Sequence, residues 1–226
     1  MQLVIGNKNY SSWSMRPWVL LTQLGLGFEE IKLRFDFNEG SDYRRTVARY
    51  TPARTVPVLV DDGFAVWDTL AITEYLHEKY PGHGIWPTDP QDRARARSVC
   101  AEMHAGFGAL RHHCPMNIEA ALPEVGQRIW AEQPEVRRDL ERIEQIWADA
   151  LTGSGGPMLF GAFSAADAYF APVCMRLRTY ALPVPPTTRA YVERVAALPG
   201  VAKWIADARA EQDFLDFEEP YRTSRG

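Results

Sequence analysis

The chain has 226 residues, 46% hydrophobic and 24% charged, enough to bury one large core or two smaller ones that share an interface. Its formal net charge is −4 and its pI is near 5.8, which leaves no basic footprint for nucleic acid. No apolar run reaches the length of a membrane span and the N-terminus lacks a basic segment followed by an apolar core, so a cytoplasmic protein with no membrane partner is expected.

Leu3 to Ile5 is a short apolar run closed by the loop Gly6-Asn7-Lys8-Asn9, which suits a central strand. Tyr10-Ser11-Ser12-Trp13-Ser14-Met15-Arg16-Pro17 follows, and Trp18, Leu20, Leu21 and Leu24 outline a helix ending at Gly25. Proline is tolerated where its missing amide hydrogen would be unpaired, which makes Ser14 the simplest N-cap and keeps Pro17 in the first turn. Ser11 and Ser12 then stand in the preceding turn, with hydroxyls free either to face a cleft or only to shape the chain.

Glu29 to Phe35 reads as a second strand, and Asn38-Glu39-Gly40-Ser41 leads into a short helix that ends before Thr51-Pro52. Val56 to Val60 and Phe64 to Trp67 are strand patterns joined by the turn Asp61-Asp62-Gly63. Pro57 cannot donate to a ladder, so it marks an edge strand or a cis Val56-Pro57 bond, and a cis bond would turn the Val56 backbone outward. Asp68 and Thr69 precede the apolar spacing Leu70, Ile72, Tyr75 and Leu76 of a helix whose start favours an anionic group. An extended ligand paired with Val56 would place its carboxylate on this corner.

Residues 81–90 are rich in breakers and form a linker, after which helical patterns dominate. Arg93 to His113 is predicted as one helix, Glu135 to Leu151 as another, and Tyr191 to Ala197 and Val201 to Gln212 as shorter ones. On the first of these, His104, Phe107 and Arg111 share a face by i, i+3 and i+7 spacing, an aromatic and basic surface for a substrate or for packing. Ser164-Ala165-Ala166-Asp167 reads as an N-cap with an acid three residues on, a folding device ahead of Tyr169 to Leu177. In the tail, residues 213–226, the aromatic residues Phe214, Phe217 and Tyr221 either pack back or leave the segment mobile. Cys100, Cys114 and Cys174 are odd in number and form no CxxC, and His112 and His113 point to different sides of a helix, so reduced thiols and no metal are expected.

A valine-proline strand, a turn, and an acid with a hydroxyl residue opening the Ala71-Ile72 to Tyr75-Leu76 helix resemble the glutathione-binding half of the glutathione S-transferases. Ser11-Ser12-Trp13-Ser14-Met15-Arg16 is similar to the Ser-Ser-Cys-x-x-Arg run of the zeta class, related to maleylacetoacetate isomerases, with Trp13 in place of the cysteine. The resemblance implies an α/β thioredoxin-like N-terminal domain over 1–80, the linker 81–90, and an all-α C-terminal domain over 91–226, the glutathione S-transferase fold. It implies glutathione as co-substrate, a small electrophile as second substrate, and a homodimer.

By the same resemblance the catalytic hydroxyl falls on Ser11 or Ser12, with Ser11 slightly preferred. Val56, beside Pro57, would hold the glutathione backbone, Asp68 and Thr69 its γ-glutamyl end, and Arg54 its glycine end, while Trp13, His104, Phe107 and Arg111 would line the electrophile pocket. A thiol with a pKa of about 8.5 is a poor nucleophile at neutral pH until its thiolate is stabilised, which a donated hydrogen bond at a helix N-terminus would do. The absence of cysteine from the turn argues against thiol-disulfide exchange. The expected activity is glutathione transfer, with a glutathione-dependent cis-trans isomerisation of a maleyl-type acid, or a non-catalytic binding module, as alternatives.

Overall fold

The computed structural model describes residues 1–225. Its first part is β1 (Gln2–Ile5), α1 (Ser12–Gln23), β2 (Glu29–Lys32), α2 (Asp42–Val47), β3 (Val58–Asp61), β4 (Phe64–Trp67) and α3 (Thr69–Lys79). The four strands form one sheet in the order β2-β1-β3-β4, with β1 parallel to β2 and antiparallel to β3. This is the thioredoxin-like arrangement. Leu3 of the central strand pairs with Glu30 on one side and Leu59 on the other, and Leu3, Val4 and Ile5 are fully buried. The β3–β4 turn is made by Asp62 and Gly63, both at positive φ, the geometry that matches the twist of a hairpin.

Two expectations change here. β2 stops at Lys32 rather than Phe35, because the chain turns away once the Phe35 amide donates to the Asn7 side chain at 2.8 Å. Val56-Pro57 is cis, and β3, which begins immediately after it, lies inside the sheet, so the edge-strand alternative is dismissed.

The second part is helical: α4 (Pro90–Ala105), α5 (Gly108–His113), α6 (Pro123–Glu132), α7 (Pro134–Ser154), α8 (Ala165–Tyr180), α9 (Pro186–Ala196) and α10 (Pro199–Glu211). The predicted single helix from Arg93 to His113 is therefore two. α4 ends at Gly106, where a Cβ would lie 2.8 Å from the Glu102 carbonyl, and Phe107 follows with φ of 59°. No element is predicted over α6, whose apolar period is interrupted by Gly126. That glycine lets α6 cross the end of α8, since a Cβ there would sit 1.7 Å from the Tyr180 carbonyl oxygen.

One apolar core runs through both parts, from Leu3, Ile5 and Leu59 of the sheet through Met15 and Leu20 of α1 to Phe170 of α8 and Trp204 of α10. α1 packs against α3, α8 and α10, so its N-terminus is held by both halves of the molecule. The tail packs back: Leu215 joins a small core with Tyr10, Phe35, Tyr43 and Val47, and buried Glu219 accepts from Tyr10 Oη at 2.7 Å and from Asn117 Nδ2 at 2.9 Å. All three cysteines are buried thiols, raised by desolvation, Cys114 to about 12. Among the described residues no helix is long and apolar enough to cross a membrane, and no cluster of His, Cys, Asp and Glu has the makings of a metal site.

Candidate active site

The start of α1 is built by serines, but not in the predicted order. Ser11, not Ser14, is the N-cap: its Oγ donates to Ser14 Oγ at 2.7 Å and accepts from the Ser14 amide at 3.4 Å. Ser14, fully buried, also accepts from the Gly6 amide at 3.2 Å and so ties the helix to the end of β1. The helix thus begins three residues earlier than expected and Pro17 lies inside it, beyond the first turn, where its missing amide leaves the Trp13 carbonyl without an intrahelical donor.

Ser12 Oγ accepts from Arg176 Nη2 at 3.2 Å, a contact across 164 positions of sequence that joins α1 to α8. Arg176 is otherwise fixed by the Cys114 carbonyl, and burial lowers its pKa to about 10, with Arg111 adding to the fall. Because Arg176 can only donate, the Ser12 hydroxyl keeps its own proton free. The Ser11 proton, by contrast, is already given to Ser14.

Both serines open onto a cleft of about 530 Å³. Its floor on the sheet side is Tyr10, Trp13, Arg54 and Val56, and its helical wall is Arg111, Met116, Arg176 and Glu218. Among these, Tyr10, Met116, Arg176 and Glu218 have no counterpart in the sequence reading. Glu218 shares the cleft with Arg176, yet burial raises its carboxyl above the usual range despite the pull of that guanidinium.

Two guanidiniums lie over the Trp13 ring, Arg16 at 4.2 Å and Arg111 at 4.8 Å from its centre. Arg16 is 1% exposed, also lies over the Tyr169 ring, and has Nε and Nη1 without partners. Desolvation lowers its pKa to about 9, which still leaves it cationic at neutral pH. A buried positive charge therefore stands behind the first turn of α1.

The remaining predicted residues gather elsewhere. Asp68 adopts φ of 72° and ψ of 135°, a strained backbone for a non-glycine residue that costs on the order of 1–3 kcal/mol. Its Oδ1 accepts from the Leu70 amide at 2.8 Å, capping α3. Thr69 is buried beside it. The cap sets the chain's own carboxylate at this helix start, at the corner where the sequence reading expects a ligand carboxylate.

His104 does not line the cleft; its Nε2 is 3.2 Å from Asp68 Oδ2 and its Nδ1 is 3.4 Å from Thr69 Oγ1. Phe107 is 7% exposed and packed in the core, so it too leaves the pocket. The physical reason is the break after Ala105, which destroys the shared face of His104, Phe107 and Arg111. Arg111 instead folds back on the end of α4, donating to the carbonyls of Met103, His104 and Gly106, a favourable place for a cation, while still lining the cleft.

Comparison with known proteins agrees with this architecture in both halves. Residues 10–79 match the model of the glutathione S-transferase N-terminal domain and residues 94–207 that of the C-terminal domain. The rat maleylacetoacetate isomerase is 28% identical over 163 residues, 72% of this chain and 72% of that protein. A glutathione transferase homologue from Burkholderia, solved with bound glutathione, is 27% identical with a TM-score of 0.65, covering 92% of this chain and 98% of that one. The fold is shared by the maleylacetoacetate isomerase of Methylobacterium extorquens AM1, solved with malonate and glutathione, at 24% identity and a TM-score of 0.67, over 92% of this chain and 97% of that one. The chain belongs to the glutathione S-transferase family.

Proposed function

We propose that this protein is a glutathione transferase in which Ser12 stabilises the glutathione thiolate for attack on a small electrophile. The observation that carries the reading is the Ser12 hydroxyl, which accepts from Arg176 and keeps its own proton free inside a cleft that also reaches Val56. Accepting from a cation polarises that hydroxyl, so it donates more strongly to sulfur. The α1 N-terminus and the buried Arg16 charge act in the same direction. Ser11, preferred by resemblance, serves the cap instead.

In this reading Val56, next to cis Pro57, pairs with the glutathione backbone, Arg54 meets the glycine carboxylate, and the Asp68 and Thr69 corner takes the γ-glutamyl end. The electrophile then lies between Trp13, Arg111, Met116 and Glu218. Arg111 and Arg176 on the helical wall favour an electrophile that bears a carboxylate, which supports a second reading: addition of the thiolate to a maleyl-type double bond, rotation, and departure of the thiolate. Both reactions use the same activated sulfur. The relatives named as isomerases favour keeping the second reading.

A homodimer belongs to the same proposal, supported by Phe64 and Trp67, which remain exposed on the edge strand β4. Sedimentation equilibrium should return a dimer mass; a monomer would remove this part.

Calorimetry with glutathione tests the site. Binding at sub-millimolar concentration is expected, and Asp68→Ala should weaken it by roughly tenfold through loss of a charge-assisted contact. No binding at millimolar glutathione would end the transferase and isomerase readings together, and leave a binding module of the same fold.

A further inference from the structure

Among the described residues, Glu218 is the one carboxylic acid that lines the cleft, on the wall that also carries Arg111 and Arg176. Both guanidiniums are committed elsewhere. Arg176 donates to the Cys114 carbonyl and to Ser12 Oγ, and Arg111 to the carbonyls of Met103, His104 and Gly106. Among the described residues the Glu218 side chain forms no hydrogen bond, although it feels the charge of Arg176. The acid therefore stands in the cleft without a fixed partner.

The chain on either side holds this residue in place. Glu218 closes a short 3-10 turn, Asp216–Glu218, in which its amide donates to the Leu215 carbonyl at 2.8 Å. Leu215 is buried in the small core with Tyr10 and Tyr43, and buried Glu219 accepts from Tyr10 Oη, Asn117 Nδ2 and Arg222 Nε. Beyond them, Tyr221 Oη donates to the His113 carbonyl at 2.8 Å. Since Tyr10 adjoins Ser11, the tail that presents Glu218 is fastened to the serine turn itself. Of two adjacent acids, Glu219 is spent on the fold and Glu218 is left to the cleft.

Burial raises the Glu218 carboxyl, Glu219 pushes the same way, and Arg176 pulls against both. A carboxyl so placed keeps more of its protonated form near neutrality and can give that proton away.

We propose that Glu218 is a catalytic acid of the cleft and that the electrophile it serves is an α,β-unsaturated carbonyl compound. This rests on the reading of the cleft as a transferase site. The glutathione sulfur forms its bond at the β-carbon, the π pair of the double bond shifts to the α-carbon and carbonyl oxygen, and the resulting enolate takes the Glu218 proton. The carboxylate regains a proton from water, which also received the thiol proton when glutathione bound. An aryl halide needs no such donor, because the halide leaves with its bonding pair and the ring recovers its aromaticity without protonation. Proton delivery also separates conjugation from isomerisation: it fixes sulfur on carbon, whereas an isomerase must let the thiolate depart again.

The test is kcat/KM for two electrophiles at saturating glutathione, benzalacetone for conjugate addition and chlorodinitrobenzene for aryl substitution, in the wild type and in Glu218→Gln. Glutamine keeps the size of the side chain but is not an acid. The wild type should turn over both, and E218Q should lower the ratio of the benzalacetone value to the chlorodinitrobenzene value by roughly ten- to a hundredfold. Ionisation of the bound thiol, read by ultraviolet absorption on the same samples, should match in the two proteins. A ratio in E218Q within about twofold of the wild type, whether both values hold or fall together, would overturn the proposal, as would an altered thiol titration. A wild type that binds glutathione but does not add it to benzalacetone would overturn it too. Absence of glutathione binding by the wild type would instead end the site reading itself, and this inference with it.

Discussion

Helices α1 and α8 both begin on a serine, and they use it differently. At α8, Ser164 Oγ accepts from the Ala166 amide at 3.3 Å while Asp167 accepts from the Ser164 amide at 3.0 Å, the Leu159 amide at 3.1 Å and Tyr191 Oη at 2.9 Å. The Asp167 contacts all serve the fold, and neither residue lines the cleft at α1. At α1, Ser11 closes the cap in the same way, but the next serine meets Arg176 and faces a cleft with its proton unspent. The residues of the two starts are similarly hidden, at 3% and 0% exposure for Ser164 and Asp167 against 5% and 8% for Ser11 and Ser12. Burial does not separate a folding device from a reactive one; access to the cleft and the contact with Arg176 do.

The comparison breaks most visibly if the α8 cap is removed. Asp167→Ala leaves three buried donors unpaired and should destabilise the protein by about 3 kcal/mol or more, measured by denaturant unfolding, whereas glutathione affinity of the remaining folded fraction stays unchanged. Its carboxyl is pushed up to about 6, chiefly by burial. A group with a raised folded pKa favours the folded state most fully below its unfolded pKa, so the wild type should lose stability as pH rises through about 6 and level off above it. Asp167→Asn should lack that slope.

The next effect is chemical rather than structural. Ser12→Ala should leave stability nearly intact but reduce ionisation of the bound glutathione thiol by a factor of roughly 10 to 100, the worth of one hydrogen bond to a charged group. The smallest is Ser11→Ala, which removes a cap and should cost about 1 kcal/mol of stability while the bound thiol still titrates low. A Ser11 variant that instead abolished thiol ionisation would reverse the assignment of the two serines.

Much of this was legible in the sequence where the physics is local. The cis bond at Pro57, the hairpin through Asp62 and Gly63, and the pairing of Ser164 with Asp167 each rest on residues within a few positions of one another. The errors share a cause as well. Ser14 looked like the cap because Pro17 was placed by the rule for an isolated helix, and the core that packs α1 overrides that rule. A continuous helix was drawn through Gly106, whose lack of a side chain lets the chain turn off close to the Glu102 carbonyl while Arg111 folds back over the end of α4.

The residues that complete the cleft were beyond local reading. Arg176 meets Ser12 across 164 positions, and Glu218 arrives on a tail fixed by Tyr10, Asn117 and Glu219. Their types are ordinary for a helix and a tail, so only the fold could select them. His104 was singled out for a face that does not form, and the fold sets it beside Asp68 and Thr69 instead.

The most direct test of the account is ultraviolet difference absorption of bound glutathione across pH, for the wild type beside Ser12→Ala and Ser11→Ala. The expected result is a thiol that ionises well below its free value in the wild type and in S11A, and close to its free value in S12A. A wild-type complex whose thiol titrates like free glutathione, or an S12A complex indistinguishable from the wild type, would contradict it.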